Sequence, residues 1–135
     1  MIRSISIIIP CLNEEENISK IHHEIKNKFK FKKYEIIFVD DGSADSSRKE
    51  IIKLNQKYKN VKYIFRNNDK DLSRSFLSGV KLSKSKYVIL MDCDLQHDPL
   101  ILNNLYKKIK IKNVSSVSGS RFMKNSINNT KKFKY

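Results

Sequence analysis

Four times along this chain a short run rich in β-branched and aromatic residues is followed by a stretch with helical period. Ser4-Ile5-Ser6-Ile7-Ile8-Ile9, closed by Pro10, predicts a buried strand. Ile18, Ile21, Ile25 and Phe29 then recur at three- and four-residue steps, one face of an amphipathic helix whose start carries Glu14, Glu15 and Glu16. Tyr34-Glu35-Ile36-Ile37-Phe38-Val39 is the second strand, and Asp45 is placed to cap a second helix bearing Ile51, Ile52 and Tyr58. Val61 to Phe65 and Tyr87 to Met91 are the third and fourth strands, with a helix from Ser73 to Ser83 between them. Asp98-Pro99 opens a helix lined by Leu102, Leu105 and Ile109, and Val114 to Val117 reads as a short fifth strand. Such alternation is most economically an α/β fold around a parallel sheet.

In parallel α/β sheets ligands gather beyond the carboxyl ends of the strands. The polar clusters sit there: Asn13-Glu14, Asp40-Asp41-Gly42-Ser43, Asp92-Cys93-Asp94 and Gly119-Ser120-Arg121. Asp92 and Asp94 are two apart, so in extended backbone both carboxylates point to one side. Two bare carboxylates about 4 Å apart repel by roughly 4 kcal/mol at an effective dielectric near 20. A divalent cation removes that conflict, and hard oxygen ligands suit Mg²⁺ or Mn²⁺, with Gln96 as a further oxygen. A solvated turn is the other reading of the same pattern. His97 with Cys93 makes a poor zinc site.

Asp40 and Asp41 follow a buried strand directly, where acids are costly unless they have work. They can accept from a base N–H or a ribose hydroxyl, or they can shape a turn together with Gly42, Ser43 and Asp45. No glycine loop of the dinucleotide-binding or P-loop type occurs. Phosphate charge must then be met by metal and by Arg121, Arg74 or Lys70. Cys11 and Cys93 fit as small buried residues better than as nucleophiles. Two cysteines make no disulfide scaffold, which points to a reducing, cytoplasmic setting.

The formal net charge is +14, yet 23 of the 28 basic residues are lysines spread over every predicted helix and loop. That distribution describes a solvated surface with some attraction to anionic lipid or phosphorylated ligands, and argues against specific nucleic-acid binding. The longest apolar run, Ile7 to Leu12, is far below the roughly 18 residues that cross a bilayer, and no signal peptide is visible.

With these residues set out, the chain resembles family 2 (inverting, GT-A fold) glycosyltransferases. Ile7-Ile8-Ile9-Pro10-Cys11-Leu12-Asn13-Glu14 is similar to their opening strand and turn, and Val39-Asp40-Asp41-Gly42-Ser43 to their nucleotide-binding turn. Met91-Asp92-Cys93-Asp94-Leu95-Gln96-His97-Asp98-Pro99 resembles the metal-binding segment in its dolichol- or polyprenyl-phosphate hexosyltransferase form. Leu72-Ser73-Arg74-Ser75 and Gly119-Ser120-Arg121-Phe122 resemble the segments that approach the donor phosphates and sugar.

The resemblance implies a GT-A, Rossmann-like, mostly parallel sheet with helices on both faces. It implies a GDP- or UDP-linked donor of mannose or glucose, bound with Mg²⁺ or Mn²⁺. A polyprenyl or dolichyl phosphate attacks with inversion, at the cytoplasmic face of a membrane. Asp40 or Asp41 would hold the base with Pro10, Asn13 and Glu14 near it. Asp92 would face the ribose and diphosphate, and Asp92, Asp94 and Gln96 would serve the metal. Asp94 and Arg121 would carry the catalytic load.

Leu12 stands where the family often has an aromatic, and Asn68, Asp69 and Asp71 where it often has glycine. Family catalytic domains run well past the position of Arg121. The expectation is therefore a donor-binding unit over residues 1–123, a basic polar tail over 124–135, and a fold cut short at the C-terminus. A nucleotide-sugar-binding remnant without turnover, or an accessory subunit, is the alternative. A receiver-like signalling domain has similar length but needs its acidic pair after the first strand, and here the acids follow strands two and four.

Overall fold

The computed structural model describes residues 5–67 and 69–119. Its elements alternate as β1 (Ile5–Cys11), α1 (Glu15–Lys28), β2 (Tyr34–Asp40), α2 (Ser47–Lys57), β3 (Val61–Phe65), α3 (Leu72–Leu82), β4 (Tyr87–Leu90) and α4 (Ile101–Ile109). The four strands form one sheet in the order β3-β2-β1-β4, and every pairing is parallel. Asp69 and Asp71 flank the turn into α3, whereas Asn68 and Arg121 lie outside the described residues, as do the tail and its boundary at 123.

Alternation along β1 sorts its side chains onto two faces. Ile5, Ile7, Ile9 and Cys11 join a core with Ile18, Ile21 and Ile25 of α1, Ile51 and Leu54 of α2, and Leu102 and Tyr106 of α4. Ile8, Ile37 and Val39 point the other way, against Phe76 and Val80 of α3. Helices therefore cover both faces, but unequally. On the α3 side Val88 and Leu90 of the edge strand β4 stay 39% and 43% exposed.

Two details depart from the sequence expectation. Pro10 lies inside β1 instead of ending it. Ile8 offers its carbonyl to the β4 side, to the Met91 amide, so Pro10 faces that side too. The β1–β4 register stops at Ile8 opposite Leu90, and the donor that proline lacks costs no ladder bond. The second departure is Val114 to Val117, which forms no strand. Ser115, Ser116 and Ser118 leave two valines to drive pairing, and Val114 is exposed. The segment instead borders a groove of about 520 Å³ beside β4. The helix expected from Asp98-Pro99 begins as a turn, with the Asp98 carboxylate accepting the Leu100 N–H at 2.9 Å, and becomes regular at Ile101.

Candidate functional site

The carboxyl ends of the strands surround a cleft of about 370 Å³. Pro10, Cys11, Leu12 and Glu14 enter it from the end of β1, Asp41 from the end of β2, and Asp92, Cys93 and Asp94 from the end of β4. Lys70, Asp71, Leu72 and Ser75 close it from the start of α3. Of the residues singled out in the sequence, Pro10, Glu14, Asp41, Asp92 and Asp94 share this lining; Asn13, Asp40 and Gln96 do not. The arms of the cleft are strand-end loops, which α/β architecture leaves free of the core while fixing their roots.

Asp40 and Asp41 are adjacent in sequence and both buried, but only Asp41 lines the cleft. The Asp40 carboxylate is fully buried. Its Oδ1 accepts from the Gly42 and Ser43 amides, each at 3.2 Å, and from Arg48 Nε at 2.6 Å. Its Oδ2 is buried without a hydrogen-bond partner among the described residues. Gly42, at φ +91°, makes the turn that brings these amides round. Asp41, 6% exposed, pairs through Oδ1 with Arg66 and accepts the Asp71 amide at Oδ2, 2.7 Å away. A carboxylate has about four lone-pair sites, so Asp41 keeps capacity for a donor arriving in the cleft.

Asn13 takes a third part. At φ 56°, a conformation that Asn tolerates, its side chain accepts the Ala44 amide at 2.8 Å while its own amide donates to Ser43 Oγ at 2.8 Å. The Glu14 amide donates to Ser47 Oγ at 2.9 Å and the Glu15 amide to Asp45 Oδ2 at 3.1 Å. Glu15 in return accepts the Ser46 amide at 2.7 Å. These five bonds latch the loop after β1 to the loop after β2. Burial would raise the Asp45 carboxyl, but its hydrogen bonds from Ser47 and Glu15 outweigh that and hold it below the usual carboxylate range.

Asp92 and Asp94 are solvent-exposed at the opposite wall, and the Asp94 carboxylate accepts the Gln96 amide at 3.1 Å. Leu95 turns the chain at φ 60°. Between the two acids, burial and the charges of Glu14, Asp94 and Asp92 push the Cys93 thiol up to about 12. Burial raises Cys11 as well, with Cys93 and Asp40 adding to it. Neither thiol is a nucleophile at neutral pH.

Charge decides what this cleft can admit. Among the described residues its lining carries five carboxylates against the single ammonium of Lys70, and of these acids only Asp41 has a close guanidinium partner. A diphosphate would be repelled unless a cation came with it. Among the described residues no three acidic, His or Cys side chains converge into a ready-made metal cage. Asp92 and Asp94 fit the mode in which a Mg²⁺-type ion takes one or two carboxylates and fills its shell with water and substrate phosphate.

Arg48 and Arg66 were not anticipated from sequence. Arg66 follows β3 directly, at the same carboxyl edge as the acids, and that position was the available signal.

The profile of the family described as "Glycosyl transferase family 2" matches residues 6–135. The chain is 38% identical over 121 residues to the dolichol-phosphate mannosyltransferase of Pyrococcus furiosus, covering 89% of this chain and 34% of that protein. It is 36% identical over 107 residues to the dolichol-phosphate mannosyltransferase of Saccharomyces cerevisiae, covering 77% and 40% respectively. The chain thus spans between a third and two fifths of these relatives. In structure it superposes on a mannosyltransferase from Pyrobaculum calidifontis, solved in complex with GDP-Man and Mn²⁺, with a TM-score of 0.71 at 17% identity. That superposition covers 82% of this chain and 33% of the other. No helix among the described residues is long and apolar enough to cross a membrane.

Proposed function

The chain belongs to glycosyl transferase family 2 and has the GT-A, Rossmann-like arrangement; on that premise we propose that it is the nucleotide-sugar-binding part of an enzyme that transfers mannose from GDP-mannose to a polyprenyl or dolichyl phosphate, with inversion. The observation that carries this is the convergence of Asp41, Asp92 and Asp94 on one cleft. The relatives' names supply the sugar and the lipid class. UDP-glucose is the donor of the second chemistry to be tested beside it.

In this reading the nucleotide base lies against Pro10, Leu12 and Glu14, and a base N–H donates to Asp41. Asp40 acts at one remove, by shaping the turn that presents Asp41, and Asn13 by latching the two base-side loops. Asp92 and Asp94 would hold a divalent cation, with the Gln96 amide bracing the Asp94 carboxylate. When bound, that cation neutralises charge on the diphosphate leaving group. Lys70 meets phosphate oxygens from the α3 side, and Arg121 adds a second cation from the segment after residue 119. A lipid phosphate is already anionic, so its attack on the anomeric carbon requires no strong protein base. What this chain supplies is orientation and charge compensation. The reaction takes place at the cytoplasmic membrane face, where a protein of net charge +14 is attracted to anionic lipid. Residues 1–123 form the donor-binding unit and 124–135 its basic extension.

Calorimetric titration of GDP and UDP, with Mn²⁺ and then with chelator, tests the donor assignment. GDP binding that needs Mn²⁺ is expected. Absence of binding to either nucleotide at millimolar concentration with Mn²⁺ would overturn it. Incubation with radiolabelled GDP-mannose, Mn²⁺ and polyprenyl phosphate vesicles then reads transfer itself.

A further inference from the structure

Beneath the cleft lies a guanidinium that none of the roles above uses. Arg66 is 9% exposed and sits immediately after β3. Burying an arginine is costly unless its donors are matched. Here Nη1 pairs with the Asp41 carboxylate and donates to Ser75 Oγ at 2.9 Å and to the Asp71 carbonyl at 3.2 Å. Nη2 reaches the Asp69 carbonyl at 3.4 Å. Among the described residues every acceptor belongs to a segment that lines or borders the cleft: the end of β2, the loop before α3, and the first turn of α3.

The contacts close into a loop. Asp71 has its carbonyl held by Arg66 and its amide held by Asp41 Oδ2, which is itself on the carboxylate that Arg66 pairs with. The Asp71 side chain then accepts the Arg74 amide at 2.8 Å and caps α3. Lys70, the one basic side chain lining the cleft among the described residues, is the neighbour of this clamped peptide. A buried ion pair used for stability alone could be replaced by apolar packing, often without loss. Among the described residues the guanidinium of this one bonds three groups of the cleft lining, Asp41, Asp71 and Ser75, and the Asp69 carbonyl beside it.

We infer that Arg66 is a positioning residue of the donor site, fixing the Asp41 carboxylate and the Lys70–Asp71 turn relative to one another; the inference rests on the donor-binding reading above. The planar fork is what the role requires. A lysine at 66 keeps the charge opposite Asp41 but, as a compact point charge, cannot span Asp41, Ser75 and the two carbonyls together.

The test uses the full chain and compares native protein with Arg66→Lys, Ser75→Ala and Asp41→Asn. Thermal unfolding, GDP affinity in Mn²⁺, and amide hydrogen exchange over residues 69–75 are measured on each. For Arg66→Lys the expected result is a melting temperature near native, GDP affinity weakened roughly tenfold, and faster exchange at Asp71 and Arg74 with α1 unaffected. Ser75→Ala, which removes one acceptor and leaves the ion pair, should weaken GDP roughly threefold. In the Asp41→Asn background Arg66→Lys should add little, because both changes loosen the same contact. GDP affinity within twofold of native with unchanged exchange in Arg66→Lys would overturn the inference, and so would additive losses in the double variant. Should Arg66→Lys not fold, Ser75→Ala decides alone, native-like affinity counting against the role. If the native chain binds neither GDP nor UDP, the donor reading itself fails and the Arg66 role falls with it, whereas binding by the native chain with indifferent variants removes only the Arg66 role.

Discussion

Gly79 of α3 lies so close to Ile8 of β1 that a β-carbon placed there would stand 2.5 Å from Ile8 Cγ2. Ile8 is fully buried at the sheet centre and β-branched, so it cannot swing aside. An alanine in a helix interior ordinarily gains up to about 1 kcal/mol over glycine. Here Gly79→Ala is expected to destabilise by about 2 kcal/mol, because α3 must lift from the sheet. Denaturant unfolding checks this, and Ile8→Ala, which removes the opposing Cγ2, should cost less in the Gly79→Ala background than in the native chain.

Asp40 and Asp41 should separate into a stability residue and a ligand residue. Asp40→Asn weakens the contact with Arg48 and the turn amides, at a cost of about 2 kcal/mol, because Arg48 is part exposed and can turn to water. GDP affinity, measured well below the melting temperature, should stay within about threefold of native. Asp41→Asn should weaken GDP by tenfold or more, on the order of 1.4 kcal/mol. Equal affinities for the two variants would remove Asp41 from the base.

Divalent-ion dependence should travel with Asp94 and Asp92. Asp94→Ala should abolish the gain in GDP affinity that Mn²⁺ gives, whereas His97→Ala, outside the cleft lining, should leave it intact. Titrating Mn²⁺ against each variant at fixed GDP reads the difference. A chelator without effect on the native chain would remove the ion from the site.

His22 sets an acid limit on the fold. It is buried between α1 and α2 with its ring 4.3 Å from that of Tyr58. Burial first, then the charges of Lys26, His23 and Lys57, lower its value to about 4. The fold thus favours neutral His22, and the unfolded chain takes up a proton from about pH 6.5 downward. The stabilisation is complete above pH 6.5 and is lost as pH falls towards 4, by up to about 3 kcal/mol. Melting temperatures between pH 7 and 4 should fall more steeply for the native chain than for His22→Phe. Parallel slopes would assign the acid sensitivity elsewhere.

What the sequence disclosed follows from which forces act locally. Strands and helices were legible because period-2 and period-3.6 patterns report burial, as Ile5-Ile7-Ile9 against Ile8 shows. The acids at the strand ends were legible because a charge beside a buried run is costly and needs a reason. Which of Asp40 and Asp41 faces the cleft was not, since it depends on Arg48 and Arg66 arriving from other elements. Val114 to Val117 finds no strand partner among the described residues, and two valines among serines are too weak a pattern to settle pairing from the sequence. The Asn13–Ser43 and Glu15–Ser46 latch was invisible for the same reason, being made of ordinary loop residues far apart in sequence.

The place of β1 at the centre of the order β3-β2-β1-β4 has a consequence in time. Ile5 pairs with Tyr34 on one side and with Tyr87 on the other. The first pairing closes a short crossover; the second must wait until three further elements have been made, and parallel contacts of such long range are slow to form. As the chain leaves the ribosome, the base-side wall with Asp41 can assemble before residue 87 has emerged. Asp92 and Asp94 join only when β4 docks, so the last of the four strands to arrive is also the one that completes the cleft.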